Sequence, residues 1–531
     1  MAPYLAQYSA LVFDLGDVLF QWSPVTNTPI SPKVLHTIMG NEIWYAYECG
    51  QISQEECYFR LADRFSLNAE DIREAFNQAK ESLTADFDLV NFIRQLKQSN
   101  PHLRIFACSN VSRPDFEALR LKPADWGIFE RIFTSGDVGE RKPNLGIYRH
   151  LIASTGIDPR RAIFVDDKLE NVFSAQSLGF QGIVFDSVAN VKQTLLNLLC
   201  DPVARGSAYL QSNQGKLQSV LGKTEEDSVI LHENFAQLLI LEATDNPSLV
   251  HLVEPKNETG LWNFFHDPKL LSKEDFPYDL DTTSMAHTVL RSEKSAEGAT
   301  RVMNEIVKNL TNDGLPLTYF DPRRPRLDAG VCVCVVTIFY AYGRGSEVSN
   351  MVQWIFDILV NRAFTNGTYY YIYPEYFLYA IVRLLNSTTD RALHAKFTPI
   401  LKECIQERIG VSGDALALGM RIIVCNHVGI RNDIDMRTML KMQCADGSWE
   451  MSWVYRLPSK NIKVGNRGLA TAVAIKAIGT FPRKEKETRR KSIPVSVMKL
   501  FPQLRSQMLV FLPIALTFPL TFIISRHLQL F

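Results

Sequence analysis

The stretch "YSALVFDLGDVLF", residues 8–20, decides the fold of the N-terminal part of the chain. Four apolar residues, Ala10 to Phe13, run without alternation into an acid, Asp14, and a glycine, Gly16. A strand that is apolar on both faces is covered on both faces, as in a parallel sheet flanked by helices. Two further runs end the same way: "LRIFACSN" (103–110) and "RAIFVDD" (161–167) both pass from apolar to polar residues. Doubly wound sheets carry their sites at such carboxyl ends. A stretch rich in Glu, Gln and Ala, about residues 23–95, intervenes and reads as helical. The expectation is an α/β doubly wound domain over residues 1–205 with a helical insertion at about 23–95.

Past Cys200 the texture changes. "DPVARGSAYLQSNQGKLQS" (201–219) reads as a boundary, with a linker expected over 206–220. From 221 to 485 the pattern is helical, with aromatic-rich loops and no strand alternation, so an all-α domain is expected there. A basic run, "PRKEKETRRK" (482–491), then precedes "MLVFLPIALTFPLTFII" (508–524), which carries no charge. Seventeen residues is the lower limit for a membrane span, and Pro513 and Pro519 disfavour a straight helix. Residues 486–531 therefore read either as a C-terminal membrane anchor or as an apolar tail packed on protein or membrane surface.

The whole chain has 531 residues, enough for several cores, with 57 basic residues against 57 acidic ones. That balance offers no charge field for nucleic acid. The nine cysteines are scattered and odd in number, and no signal peptide is evident, so reduced thiols and a cytoplasmic location are expected. Cys332 and Cys334 in "GVCVCVV" read as packing residues.

The strand ends suit phosphoryl transfer. Asp14, then Ser109 and Asn110, then Lys142 in "GERKPNLGIY", then Asp166 and Asp167 in "FVDDKLEN" follow one another in order. A carboxylate can attack phosphorus, while hydroxyl and ammonium donors hold the oxygens as charge develops. The constellation resembles the haloacid dehalogenase-like superfamily over about 200 residues, with 23–95 as its cap. The resemblance implies Asp14 as nucleophile and Ser109, Asn110 and Lys142 as phosphate-binding residues. It also implies Mg2+, with Asp14, Asp166, Asp167 and Glu170 as its oxygen ligands. One position departs from the pattern. The superfamily's usual general acid lies two residues after the nucleophile, where this chain has Gly16, with Asp17 one step on. A working phosphatase and a retained scaffold are both compatible with that glycine. "DDKLE" (166–170) also matches the DDxxE motif of ionising terpene synthases, but it follows a strand rather than lying on a helix.

The second half holds "DLDTTS" (279–284), where two carboxyls one residue apart repel, so that one is expected to keep its proton. Taken by itself, the motif also reads as a helix cap, with Asp281 or Thr282 closing the turn before "TSMAHTVL". It resembles the protonating DxDT motif of class II terpene cyclases, which implies Asp281 as the general acid, Asp279 as the partner that keeps a shared proton, and Thr282 and Thr283 as members of the site. Thr283 or His287 is expected to orient the acid. "QCADGSW" (443–449) resembles the QW motif of the same cyclases through Gln443, Gly447 and Trp449, a structural tie between helix ends in an α-barrel. Aromatics crowd the loops: Trp262, Phe264, Phe265, Tyr278, Tyr369, Tyr370, Tyr371, Tyr373, Tyr376, Trp453 and Tyr455. Some are expected to line a pocket, where ring faces stabilise cations. Arg323, Arg324, Arg326, Lys463 and Arg467 are candidates for an anionic group.

Together the halves resemble fungal-type drimane sesquiterpene synthases. That resemblance implies protonation-initiated cyclisation of farnesyl diphosphate to a bicyclic diphosphate, then hydrolysis to an alcohol of the drimenol or albicanol type. Two other readings stay open: a cyclase alone with the N-terminal domain as scaffold, and a non-catalytic membrane-associated binding protein.

Overall fold

Strand β1 (Ala10–Phe13) is fully buried along its length. In the computed structural model it pairs in parallel with β2 (Arg104–Ser109), and β3 (Arg131–Thr134) lies beyond that. On its other side β1 pairs with β4 (Ala162–Asp166), followed by β5 (Gln181–Val184), giving the order β3-β2-β1-β4-β5. Described are residues 8–482 apart from 225–226, 256–257, 268–275, 291–294 and 458–461. The tail expected at 486–531 lies outside the described residues. Among the described residues no helix is long and apolar enough to cross a membrane.

Successive side chains of a strand point to opposite faces, and both faces of this sheet are buried. Leu11 and Phe13 join one core with Ile105, Ala107, Ile163 and Val165. Ala10 and Val12 join the other with Phe106, Cys108, Ala162 and Phe164. A two-residue ribbon, Phe20–Gln21 against Thr84–Ala85, leads into and out of the cap. The cap is narrower than expected. Its own core runs from Ile30 to Ala79, whereas helix Phe87–Ser99 turns Leu89, Val90, Ile93 and Leu96 onto the sheet.

The second half closes a ring of inner helices. Phe235–Thr244, Leu280–Val289, Ala329–Ala341, Pro374–Asn386, Ala415–His427 and Arg467–Thr480 each pack on the next, and the last packs on the first. Their sequences explain the placement. "AGVCVCVVTIFYA" is apolar all round and is buried from Gly330 to Phe339, Cys332 and Cys334 included. Ser349–Val360, on the outside, buries only Met351, Val352, Ile355 and Leu359, the stripe of an amphipathic helix. The α-barrel expected from the QW resemblance is therefore present.

Two expectations fail here. Residues 206–220 are no linker: Pro202–Ser212 is a helix whose buried Pro202, Gly206 and Leu210 recur every fourth residue and face helix Arg467–Thr480. Nor is the domain free of strands. Ser219–Gly222 (β6), Val229–Leu231 (β7), Ser452–Leu457 (β8) and Ile462–Asn466 (β9) form an antiparallel sheet in the order β8-β9-β6-β7. The β8–β9 pair falls in the stretch expected to be all-α. Its runs "SWVYRL" and "IKVGN" are too short for the two-residue alternation to stand out beside the helical pattern that follows.

The QW segment ties the barrel shut and docks the first domain. Gln443 Nε2 donates to the carbonyls of Pro202 (2.9 Å) and Gly447 (2.8 Å), and Trp449 Nε1 donates to Met439 O (2.7 Å). Gln193 and Asn197, on helix Val188–Leu199, each donate to Gln443 O at 2.9 Å. Gly447 turns the chain at φ 92°, and a Cβ there would stand 2.5 Å from Arg205 O. Gly447→Ala should therefore cost about 2 kcal/mol, measured as a melting midpoint several degrees lower.

Candidate active sites

The carboxyl ends of β1, β2 and β4 bring the first site together. Asp14 follows β1, Ser109 ends β2 and Asp166 ends β4, and all three are buried. Lys142 reaches between the strands: its Nζ lies 2.9 Å from Asp14 Oδ1 and 2.6 Å from Asp166 Oδ2. Burial works against the Lys142 charge, but the two carboxylates outweigh it and move the ammonium upward. Burial, reinforced by Asp166 and opposed by Lys142, raises Asp14 to about 7. Asp167 is raised to about 6, by burial and then by Asp166.

Asp14, Asp166 and Asp167 offer oxygens within 4.8 Å of one another. A crowded trio of carboxyls with one lysine fits a divalent cation, whose charge would relieve the repulsion that raises Asp14 and Asp167. Glu170 does not join them. It sits exposed in the first turn of helix Leu169–Ser177, while Asn171 from that turn donates to Asp166 Oδ1 at 2.8 Å. Asn110 is also differently employed. Its amide exchanges hydrogen bonds with the Lys142 backbone, giving 2.9 Å to Lys142 O and taking 2.8 Å from Lys142 N, so it positions the lysine.

Above this cluster an open cleft lies between the strand ends and the cap. Gly16, Ser109 and Asn110 form its floor, and Trp22, Met39, Trp44, Phe76, Leu83 and Leu119 supply apolar wall. Asp17 is not among its lining residues. It lies exposed in the left-handed region at φ 56°, its N–H donating to Phe20 O.

The second site opens at the start of inner helices. Asp279 caps Leu280–Val289, its Oδ1 accepting from Thr282 N at 2.8 Å, so the helix starts ahead of the cap expected at Asp281 or Thr282. Burial, and then the adjacent Asp281 carboxyl, raise Asp279 well above the usual carboxylate range. Its Oδ2 finds no hydrogen-bond donor. Asp281 is half-buried and accepts a 2.6 Å hydrogen bond from the Tyr371 hydroxyl.

Thr283 and His287 do not orient the acid. Thr283 exchanges hydrogen bonds with the Trp262 backbone, and His287 Nε2 bonds Gly260 O at 2.9 Å. Thr282 is fully buried beside Asp279, where its backbone N–H and its side chain both favour the Asp279 carboxylate. The orienting role falls to Tyr371, quoted above only as one ring among many. Its loop is held by Asp328, which takes the Tyr370 N–H at 2.8 Å, and its ring stacks on Tyr376 at 3.6 Å. The ring also lies against Gly330, where a Cβ would meet it at 2.6 Å.

Both carboxyls line a cavity whose walls are mainly rings. Phe264, Phe265, Tyr370, Tyr371 and Tyr455 were named from sequence, while Phe235 and Tyr319 were not. Trp262, Tyr278, Tyr369, Tyr373, Tyr376 and Trp453 lie outside this lining. At its edge, on the unexpected strand β8, Arg456 is braced by the carbonyls of Tyr369 (3.1 Å) and Thr368 (2.8 Å). Of the five cations named earlier, Arg324 is nearest in kind. It stands over the lining rings Phe276 (5.1 Å) and Tyr319 (5.9 Å). Arg323 pairs with Asp321, and Arg326 bonds the Tyr369 hydroxyl. Lys463 lies over Trp453, and Arg467 holds Ser448 and Asp446 beside the QW turn.

Comparison with known proteins matches both halves. Residues 8–179 fit the haloacid dehalogenase-like hydrolase family, and residues 203–342 fit the sesquiterpene cyclase astC-like C-terminal domain. The chain is 41% identical over 476 residues to drimenol cyclase drtB of Aspergillus calidoustus, covering 90% of this chain and 88% of that one. The N-terminal part is 37% identical over 183 residues to sesquiterpene phosphatase astK of Aspergillus oryzae, covering 34% of this chain and 92% of that one. Among solved structures, L-2-haloacid dehalogenase from Xanthobacter autotrophicus is similar at 18% identity and a TM-score of 0.28, over 35% of this chain and 82% of that one.

Proposed function

This chain belongs to the drimenol cyclase family, sesquiterpene cyclases with a haloacid dehalogenase-like domain ahead of the cyclase domain, and from that premise we propose that it converts farnesyl diphosphate to a drimane-type alcohol at two sites. Cyclisation is assigned to the barrel, from about residue 201 to 481, and phosphate removal to residues 8 to about 200. One observation carries the reading: the Asp279–Asp281 pair, with its proton-keeping member buried, opens on an aromatic cavity.

In the barrel, Asp279 stores the proton and Asp281 delivers it to the distal alkene of the bound polyene. An alkene is a very weak base, so the pair must hold its proton at rest and the charge left behind must be stabilised afterwards. Tyr371 supplies that second condition, because its hydroxyl already donates to the oxygen on which the charge is left. The interaction strengthens as the proton leaves, which lowers the barrier rather than the ground state. The ring walls then face the cation and exclude water. Arg456 and Arg324 at the edge are the cations we assign to the diphosphate. Cyclisation of this type leaves the diphosphate intact.

In the N-terminal domain, Asp14 is the nucleophile, with Ser109 and Lys142 holding phosphate oxygens and Asn110 holding Lys142. Asp14, Asp166 and Asp167 would hold Mg2+, which supplies charge neutralisation when bound. The test is product analysis of the purified full chain with farnesyl diphosphate and Mg2+. A bicyclic alcohol formed without added phosphatase is expected; recovery of unchanged diphosphate alone would remove the proposal.

A further inference from the structure

The N-terminal site lacks the acid that an alkyl phosphate needs, yet has room for one. A Cβ built on Gly16 meets nothing within 4 Å, so the glycine is not imposed by crowding. The cleft above is lined by two carboxyls, and both are committed. Glu48 accepts from Trp44 Nε1 and from Arg141 Nε, each at 2.9 Å, so both its oxygens receive donors. Burial raises it, but a proton there would displace one of those donors. Asp115 accepts from Ser112 Oγ at 2.8 Å and pairs with Lys80 at 3.1 Å. Asp17 is exposed near Asp167 and is not part of this lining.

Leaving-group chemistry turns this into a statement about substrate. Breaking the bond between phosphorus and an alkyl oxygen puts an electron pair on an alkoxide, whose conjugate acid lies near water's pKa of about 15.7. Such a group leaves well only if an acid protonates it as the bond breaks. Breaking the bridging bond of a diphosphate instead expels a phosphate monoester, whose second pKa is about 6. That group leaves without a proton. Lys80, in the same lining, offers it a positive charge.

Resting on the assignment of a phosphatase to this domain, we infer that the site is a phosphoanhydride hydrolase: it cleaves the terminal phosphate from a terpenyl diphosphate and releases a terpenyl monophosphate as a distinct, slowly consumed species. An Asp14 carboxylate oxygen bonds to the terminal phosphorus. The bridging P–O bond breaks, and its electron pair departs on the monophosphate. Water then hydrolyses the acyl phosphate, giving orthophosphate and the Asp14 carboxylate, with a proton lost to solvent. The wall of Trp22, Trp44, Phe76 and Leu119 suits the carbon skeleton of an apolar alcohol.

The test is a time course of the full chain with farnesyl diphosphate and Mg2+, followed by phosphorus NMR and mass spectrometry. Orthophosphate and a terpenyl monophosphate should rise together before any alcohol. Farnesyl monophosphate supplied alone should turn over about a hundredfold more slowly than the diphosphate, the lower end of what a general acid contributes. Gly16→Asp should speed monophosphate consumption about tenfold or more. Pyrophosphate appearing with alcohol, or monophosphate consumed as fast as diphosphate, overturns the inference. A cyclised diphosphate that accumulates with no phosphate released in any form removes the phosphatase assignment, and this inference with it.

Discussion

Asp281→Asn should end cyclisation, with a loss of about a thousandfold or more in turnover. The change keeps size and shape and removes only the carboxyl that hands the proton on. Asparagine still offers an oxygen to the Tyr371 hydroxyl, which now donates to Asp281 at 2.6 Å, so the loop at 370–371 should stay in place. Extracts treated with added phosphatase would contain farnesol in place of a bicyclic alcohol when analysed by gas chromatography. Asp279→Asn should fail too, for another reason: asparagine is a good helix cap, so the fold survives, but the stored proton is gone. Tyr371→Phe should lower turnover by about ten- to a hundredfold, the cost of one hydrogen bond to a charged group. Its melting midpoint should stay close to the parent's, because the stack on Tyr376 at 3.6 Å remains. The pH profile carries a sign. Asp279 is raised by burial and by Asp281, so the pair keeps its proton above the ordinary carboxylate range, and cyclisation should fall as pH rises through that raised value. Undiminished bicyclic product from Asp281→Asn would show that the proton comes from elsewhere.

Asp14→Asn should separate the two reactions. Orthophosphate release should drop by about a thousandfold or more, since an amide cannot form the acyl phosphate. The barrel is untouched, so bicyclic diphosphate should accumulate and yield its alcohol once an external phosphatase is added. The variant should fold well. Burial already disfavours the Asp14 charge, raising it to about 7, and Lys142 keeps its 2.6 Å contact with Asp166. A melting midpoint within a few degrees of the parent, with phosphate release lost, locates the defect in chemistry. Retained phosphate release would instead require a different nucleophile.

Much of the first site was legible because its pieces are local. Each strand ends in a polar residue at a fixed place relative to its own apolar run, and a parallel sheet gathers such ends whatever the intervening chain does. Asp14, Ser109, Asp166 and Asp167 were found that way, and Lys142 through the order of the motifs and the family resemblance. Glu170 was misjudged because a spacing of three or four residues says nothing about which way a new helix turns, and Asn171 took the inward place. Asn110 was named for the phosphate because a polar residue after a strand looks alike whether it binds a ligand or braces a neighbour.

The second site was half legible. The doublet Asp279 and Asp281 lies in one short stretch, and two carboxyls so close must interact. Tyr371 could not be found from sequence, since it acts 90 residues away and shares its stretch with other tyrosines. Arg456 was missed because β8 was missed. A six-residue strand between helices leaves too few residues for periodicity to register.

The sequence by itself determined the two domain types, the order of the strand-end groups, the carboxyl doublet and the QW tie, because each is carried by residues close together in the chain. Only the tertiary structure decided which of the two carboxyls is buried, which hydroxyl bonds its neighbour, which rings wall the cavity and which arginine lies at its edge. Those depend on burial and on contacts between segments far apart, and desolvation and hydrogen-bond geometry exist only once the ring of helices has closed.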